Sequence, residues 1–573
     1  MRSDPLPAHE TSGDGPSKAW PESAAWRVLF RHRAPVLALA LFGVALGIYV
    51  SNLPPGITWA NFSADSGELA TAVYTLGVAH PPGYPTYILT GKLFSFLPFG
   101  ELAYRTNLMS AFFGAAAVGL WFLTAMDVIS LTAREPGKGR GALAVASAAV
   151  AALSLAAAPL FWSQATVTEV YSLNAFFVAA IAFLLVRRIV KQRNPPARAL
   201  GDKHLLAAAF LLGLGLGNHV TLAFLAPPAL LLIAARWSRK SFATVPPALV
   251  SLLTGLLIYV YLPVSAAQGP PVNWGQANEA SGFWWTVSGA PYRQFAFAAS
   301  SELWIDRLKE WWGLLIDQYY YLGVSLGLTG LWYLWRRHLL IGVFTLSYVL
   351  IIVIYAGTYN TPDSFVYLIP GFMIFALWLG LGSFWALTEV IPRIWQKLRG
   401  ASYPRAFLAS VTLALLLILG LVPVRSAIAN YSDQDLSNDS EAIEYARQVL
   451  RSIEPEALLL LDRDDHTFSL WYAQFVTDAR PGVFLVTQNL LVYGWYVDSI
   501  EEQYPGLLPR DLGDKFDEIL RTLIRSNLGK RPVYLSDHTR SNDFLFEQMA
   551  IDPVAIGPGN GLTLFKVRPP INQ

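Results

Sequence analysis

Apolar runs of about 17 to 25 residues, the length a helix needs to cross a bilayer core, recur through most of this chain and leave few folds open to it. They fall at 34–51, 103–130, 141–160, 171–187, 203–217, 219–236, 244–264, 312–334, 339–356, 365–389 and 406–424. Inside hydrocarbon every backbone N–H and C=O must be satisfied within its own segment, so runs like these become helices. The expected fold is an α-helical polytopic membrane protein with about 11 transmembrane helices. A composition of 54% hydrophobic against 14% charged residues over 573 positions is too apolar for a soluble enzyme. The stretch from Tyr84 to Phe99 is short and broken by prolines, and is expected to be re-entrant or interfacial.

Basic residues give the sidedness. Arg27, Arg31, His32 and Arg33 precede the first run, and further clusters at 134–140, 187–203, 236–240, 335–338 and 392–405 occupy alternate connections. Cytoplasmic loops collect Lys and Arg, so the amino terminus is expected in the cytoplasm, with a disordered tail over 1–25, and the loop 52–102 is the first exterior one. A net charge of +2 dispersed in this way offers no face for nucleic acid. An odd number of spans puts the carboxyl-terminal part outside, on a multi-pass protein of the cell inner (plasma) membrane.

The composition changes after Val424. An amphipathic helix follows, then short apolar runs at 457–461, 482–486, 532–536 and 562–567 separated by helical stretches such as Phe516 to Arg525. An exterior soluble α/β domain over 425–573 is expected beside a transmembrane domain over 26–424. With no cysteine, disulfides and thiolate sites are excluded. No GxGxxG or Walker-type loop is present.

Residues able to do chemistry gather in the exterior connections. In NFSADSGELATAVYTLGVAHPPGYPTY (61–87), Asp65 and Glu68 lie three apart, on one face of any helix starting there. That spacing also writes a capping box, with Asp65 as N-cap and Glu68 at N3. A carboxylate at the outer membrane surface is equally placed to act as general base on an acceptor hydroxyl. His80 precedes Pro81, Pro82 and Gly83, which force a turn toward Tyr84; its imidazole either steadies that turn or meets a phosphate or hydroxyl. Glu169, with Tyr171 and Asn174, ends a hydrophobic run where an ionisable group usually faces a cavity. His219 joins two spans, as a ligand group or as the holder of a tight turn. Asn273, Trp274 and Arg293 come from the long exterior loop, whose aromatics form an interfacial belt or line a carbohydrate site. Arg293, or Arg105 at the start of its span, suits a phosphate. Asp462, Asp464, Asp465 and His466 follow a strand and read as a solvated acidic loop, not a metal site, facing the membrane site.

DSGEL (65–69), GVAHPPGYPTY (77–87), RTNLMSA (105–111) and QATVTEVYSLNA (164–175) resemble the membrane glycosyltransferases of family 117, formerly domain of unknown function 2723, with its transmembrane protein 260-like O-mannosyltransferases. GLGNHVT (215–221), NWG (273–275), LWYAQF (470–475) and RPGVFLVTQNLL (480–491) extend the likeness over most of the chain. The resemblance implies a C-type glycosyltransferase fold, a polyprenyl-phosphate sugar donor and a catalytic acidic motif in the first exterior loop. Asp65 becomes the base, with Glu68, His80 and Glu169 in the same site. A disulfide-free exterior domain suits a bacterial member, for which the acceptor hydroxyl belongs to protein, lipid or glycan.

The expected reaction is inverting sugar transfer to that hydroxyl among membrane lipids. A monophosphate leaving group requires no metal, although a divalent cation, Mg or Mn, bridging carboxylates and phosphate is compatible with it. Two other readings stand beside this one. A transporter or lipid flippase would carry repeated halves and polar groups at the midplane; a noncatalytic glycan-binding scaffold would keep the aromatics without the acid pair.

Overall fold

A computed structural model describes residues 33–133, 140–192, 202–235, 239–393, 405–509, 516–536, 550–556 and 563–568; the tail at 1–25 and most of the basic clusters lie outside them. Each of the apolar runs falls on helix. In chain order these are α1 (Ala34–Val50), α2 (Ser66–Thr75), α3 (Pro85–Ser95), α4 (Leu102–Thr132), α5 (Arg140–Ala156), α6 (Pro159–Thr166), α7 (Tyr171–Gln192) and α8 (Lys203–Leu216). They continue as α9 (Ala226–Ala234), α10 (Val245–Leu256), α11 (Tyr261–Ala266), α12 (Ala280–Val287), α13 (Ser301–Arg337), α14 (Leu339–Thr358), α15 (Ile369–Trp385) and α16 (Arg405–Gln434).

Among the described residues, six stretches have the length and apolarity of a membrane span: Leu102–Thr132, Tyr171–Gln192, Phe242–Ala266, Leu339–Thr358, Ser364–Arg393 and Ser410–Gln434. The run at 141–160 is not one straight span, because α5 and α6 meet at a 60° bend; Pro159 opens α6, where its missing N–H breaks no helical bond. The 312–334 run lies in α13, which is 37 residues long and broken at Tyr320 (φ 54°, ψ 168°). Helix α13 packs along α15 so closely that a Cβ on Gly330 would sit 1.7 Å from the Trp378 carbonyl oxygen. Small residues at such crossings let backbones approach where no hydrophobic force separates helix from lipid. Within Tyr84 to Phe99 the chain forms the short helix α3, which begins at Pro85 and ends at Ser95.

The last span helix runs past Val424 to Gln434, and the C-terminal domain follows. Its sheet has the order β2-β1-β3-β5-β4, from β1 (Leu458–Leu461), β2 (Phe484–Thr487), β3 (Val533–Leu535), β4 (Ile551–Ala555) and β5 (Thr563–Val567). β1 is parallel to β2 and β3, and β5 antiparallel to β3 and β4. The four leucines of β1 are all buried, as a central parallel strand requires. β4 was not expected: its sequence, IDPVA, contains a proline, which an edge strand tolerates. Around the sheet lie α17 (Glu441–Ser452), α18 (Asp464–Phe475), α19 (Gly494–Gln503) and α20 (Phe516–Asn527).

Candidate active site

Asp65 occupies the N-cap of α2, yet its side chain makes no capping hydrogen bond. Glu68 does not turn back either. Its Oε1 accepts from the His80 backbone N–H at 2.7 Å, and its Oε2 pairs with His80 Nδ1. The capping box allowed by the spacing is therefore not formed. His80 reaches α2 because the chain leaves that helix through Leu76 in the left-handed region (φ 53°) and then runs beside the NWG segment. Val78 N donates to Val272 O at 2.9 Å, and Trp274 N to Val78 O at 3.1 Å. A cis bond between Pro81 and Pro82 and a left-handed Tyr84 (φ 44°) turn the chain into α3. His80 Nε2 comes to rest 3.7 Å from Asp65 Oδ2.

The three groups differ in openness. The Glu68 side chain is fully buried and that of His80 is 10% exposed, whereas 37% of Asp65 is open. Burial alone would lower the His80 pKa, but Glu68 and Asp65 outweigh it and hold the imidazole up at about 10, an imidazolium at neutral pH. Burial pushes Asp65 up to about 7; His80 opposes the rise, while Glu68, Asp464 and Asp363 add to it. Water reaching the open face of Asp65 screens part of this effect. Glu169, buried between α6 and α7, is raised well above the usual carboxylate range, first by burial and then by Asp65.

Aromatic rings wall the cluster. His80 meets Tyr84 edge-on at 5.0 Å, and Trp274 and Tyr292 each at 6.1 Å. Tyr84 stacks on His219, which also lies against Tyr171 at 5.6 Å and Tyr367 at 5.9 Å. His219 Nδ1 accepts from Thr221 N, so its proton sits on Nε2. Asn174 Oδ1, Asn273 Oδ1 and Trp274 Nε1 are buried without a hydrogen-bond partner among the described residues.

Two expected site residues are placed otherwise. Arg105 commits its guanidinium to the carbonyls of Ser95, Phe99 and Gly100 at 2.6 to 3.0 Å, closing the end of α3. Arg293 is exposed with Nε on Ser288 O, and it is its neighbour Tyr292 that faces His80. Much of the RTN, TVTEV, GLGNH and PPGYP segments binds loop to loop. Asn107 donates to Gly56 O and accepts from Thr168 Oγ1 at 2.6 Å; Thr86 N donates to Gly217 O; Asn218 donates to Val170 O at 3.0 Å.

Sequence reasoning missed Tyr292, Asp363 and Tyr367, whose only signal is their place in connections on the same side as Asp65. Asp464, on the first turn of α18, acts electrostatically on Asp65 and so brings the C-terminal domain to the site. That domain is closely seated: a Cβ on Gly67 of α2 would lie 2.3 Å from Phe468 O of α18. Trp59 Nε1 donates to Asp465 O at 3.1 Å and to Ser469 Oγ at 2.9 Å. His466 stacks on Tyr445 at 4.3 Å.

The family profile "Protein O-mannosyl-transferase TMEM260 N-terminal domain" matches residues 65–242, beginning at Asp65, and "TMEM260-associated domain 2" matches residues 442–506. Protein O-mannosyl-transferase TMEM260 of Mus musculus is 27% identical over 515 residues, covering 84% of this chain and 67% of that protein. The Dictyostelium discoideum relative of the same description is 24% identical over 533 residues, covering 84% of this chain and 62% of its own length. The chain thus spans about two thirds of these curated relatives. In fold it is similar to crystalline ArnT from Cupriavidus metallidurans bound to undecaprenyl phosphate, with a TM-score of 0.53 at 13% identity over 95% of this chain and 98% of that one. Over the matched segments the chain is similar to the TMEM260-like O-mannosyl-transferases, and it has the C-type glycosyltransferase fold.

Proposed function

We propose that this glycosyltransferase moves a sugar, mannose as in its named relatives, from a polyprenyl-phosphate donor to an acceptor hydroxyl at the exterior membrane face, with inversion and with Asp65 as general base. One observation carries the reading: of the three clustered groups, Glu68 and His80 are locked together, while Asp65 alone is open, and burial raises its pKa toward neutrality. A base poised near the working pH combines a sufficient deprotonated fraction with a real affinity for the proton it must take.

In the transfer, the acceptor oxygen attacks the anomeric carbon and Asp65 takes its proton. The carbon–oxygen bond to phosphate breaks, and its electron pair leaves with the lipid phosphate. The His80 imidazolium, fixed by Glu68, supplies positive charge beside that event. Tyr84, Tyr171, Trp274 and Tyr292 offer ring faces and polar tips to a sugar, and the undecaprenyl phosphate bound by ArnT of like fold is consistent with a lipid-linked donor. The basic clusters on alternate connections argue for the exterior face. The polar groups gather at one set of helix ends, not at the midplane a transporter uses.

Asp65, Glu68 and His80 each offer one ligand atom, all within 4.8 Å of one another. Two carboxylates and an imidazole suit Mn better than Mg, which favours an all-oxygen shell. These residues would hold such an ion once His80 gave up its proton and its bond to Glu68, and the ion would polarise the phosphate. The proposed steps do not depend on it. Purified protein in detergent, given a panel of radiolabelled polyprenyl-phosphate sugars with acceptors, is expected to transfer label from the mannosyl donor and to retain that transfer in EDTA. Absence of turnover with every donor would end the reading.

A further inference from the structure

A polar cavity lies at the opposite end of the bundle from Asp65. Helix α4 sets the separation. Ala103, at its start, donates its backbone N–H to the Tyr472 hydroxyl of the C-terminal domain, and Ala133, just past its end, lines the cavity. The 31 residues of α4 rise about 46 Å, the depth of a bilayer with its headgroups. The cavity measures about 250 Å³ and sits among the ends of α4, α5, α13 and the stretch that continues α15, with Ala133, Arg140, Tyr333, Thr388, Glu389 and Arg393 on its walls.

Positive charge converges there. Arg337 and Arg393 both bond to Glu389, the latter from Nη2 to Oε2 at 2.8 Å, and the Arg337 guanidinium lies over the Tyr333 ring at 5.3 Å. With Arg140, three guanidinium groups stand around one carboxylate among the described residues. A guanidinium carries five N–H donors. Arg337 and Arg393 each commit one nitrogen to Glu389, and their other nitrogens have no hydrogen-bond partner among the described residues. Thr388 and Glu389 belong to a π-helical turn, Ala386–Val390, a rare form that occurs frequently at functional sites. Arginines at helix ends also answer the sidedness of the chain and the helix dipoles. Neither demand calls for a cavity, for two guanidinium groups on one carboxylate with donors to spare, or for a π turn.

The surroundings name the occupant. Trp332, 48% exposed, meets Trp385 edge-on at 5.4 Å and carries Arg336 over its ring at 5.6 Å; Trp335 is 44% exposed. Trp332 is the neighbour in sequence of Tyr333, and Trp385 of Phe384, both of which line the cavity. Indoles open to lipid mark the headgroup level of a membrane. The volume is below the roughly 300 to 1,000 Å³ of ordinary small-molecule sites, which suits a single headgroup.

We infer that this cavity binds the phosphodiester headgroup of an anionic phospholipid in the leaflet opposite Asp65, with Arg393 on the phosphate and Arg337 and Arg140 adding charge. Guanidinium groups match phosphate oxygens two at a time, and basic pockets between spans hold such headgroups. The site stands independently of the proposed sugar transfer.

The test is native mass spectrometry of the full chain in detergent micelles that contain equal amounts of phosphatidylglycerol and phosphatidylcholine. The wild type is expected to retain one phosphatidylglycerol with a preference of about 10-fold or more, and to keep it when millimolar inorganic phosphate is added. Two variants act on the cavity by different means. Arg393→Gln removes an exposed charge and leaves Glu389 with Arg337, whereas Ala133→Phe fills the space and removes no charge. Each is expected to lower retention about 5-fold, the worth of one basic residue at a membrane surface. Arg336→Gln deletes the same charge outside the cavity and is expected to hold the lipid as the wild type does. A wild type without preference for phosphatidylglycerol overturns the proposal, as does undiminished retention by Ala133→Phe. Equal losses in Arg336→Gln and Arg393→Gln overturn it too, by making the attraction one of surface charge at large. Displacement of the lipid by inorganic phosphate would assign the cavity to a soluble anion and overturn the lipid as its occupant.

Discussion

Asp65→Asn separates chemistry from structure at the proposed base. Asparagine has nearly the same shape and caps a helix about as well as aspartate, and the Asp65 side chain makes no capping bond that could be lost. Removing a general base costs about 10²- to 10⁴-fold in rate, which at about 1.36 kcal/mol per tenfold is ~2.7 to 5.5 kcal/mol of barrier. Stability moves the other way. A carboxyl raised from 3.8 to about 7 holds its proton more tightly in the folded than in the unfolded chain. Its contribution therefore makes the fold less stable as pH climbs from about 4 to about 7. The substitution removes that penalty and leaves His80 paired with Glu68. The assay is the initial rate from a radiolabelled polyprenyl-phosphate sugar from about pH 5 to 9, with a thermal melt of each protein. The wild-type rate should fall as pH drops through about 7, while the variant shows a low rate without that limb and melts no earlier than the wild type. A variant keeping more than about a tenth of the rate would refute the assignment.

Glu68→Gln leaves the His80 cation buried without its main partner, and a melt near neutral pH should show a loss of about 3 to 5 kcal/mol. Because the folded pKa of His80 is raised to about 10, the pair's contribution is complete below about pH 6.5 and disappears as pH rises through about 10, so the two melts should converge in alkali. Gly67→Ala drives a Cβ to within 2.3 Å of Phe468 O. The expected cost is about 1 to 3 kcal/mol, with the C-terminal domain becoming more sensitive to limited proteolysis; a wild-type digestion pattern would contradict it. Phe62→Cys introduces a single thiol at a position 62% exposed in a chain without cysteine. A membrane-impermeant maleimide should label it on intact cells, and labelling only after permeabilisation would place Asp65 on the wrong side.

The helical runs were legible because length and apolarity suffice to specify them, without any long-range contact. The breaks within them were not. The 60° bend between α5 and α6 and the turn at Tyr320 answer to packing against other helices. The acid pair was visible, but its spacing serves a cap and a site equally well. The choice is made by His80, twelve residues on, which arrives only because Val78 pairs with Val272 and Trp274 from a remote loop. Arg105 and Arg293 carry charge near helix ends, where a phosphate ligand would also sit; neighbouring carbonyls take their guanidinium groups instead. Asp363 had no local signal, and Tyr292 only that of one aromatic among many in its loop, since their place beside Asp65 exists only once separate connections close over one spot. The Pro553 strand was hidden by a residue that argues against a strand except at an edge.

The interruption of α13 at Tyr320 ties this enzyme to the lipid around it. The leg from 321 to 337, ending in Arg336 and Arg337, rises only about 25 Å, a little less than a hydrocarbon layer of about 30 Å. Asp317 and Gln318 belong to the other leg, before the break. Acyl chains longer than this leg would have to compress around it or bend the helix further at Tyr320, so a thicker bilayer should load that break first.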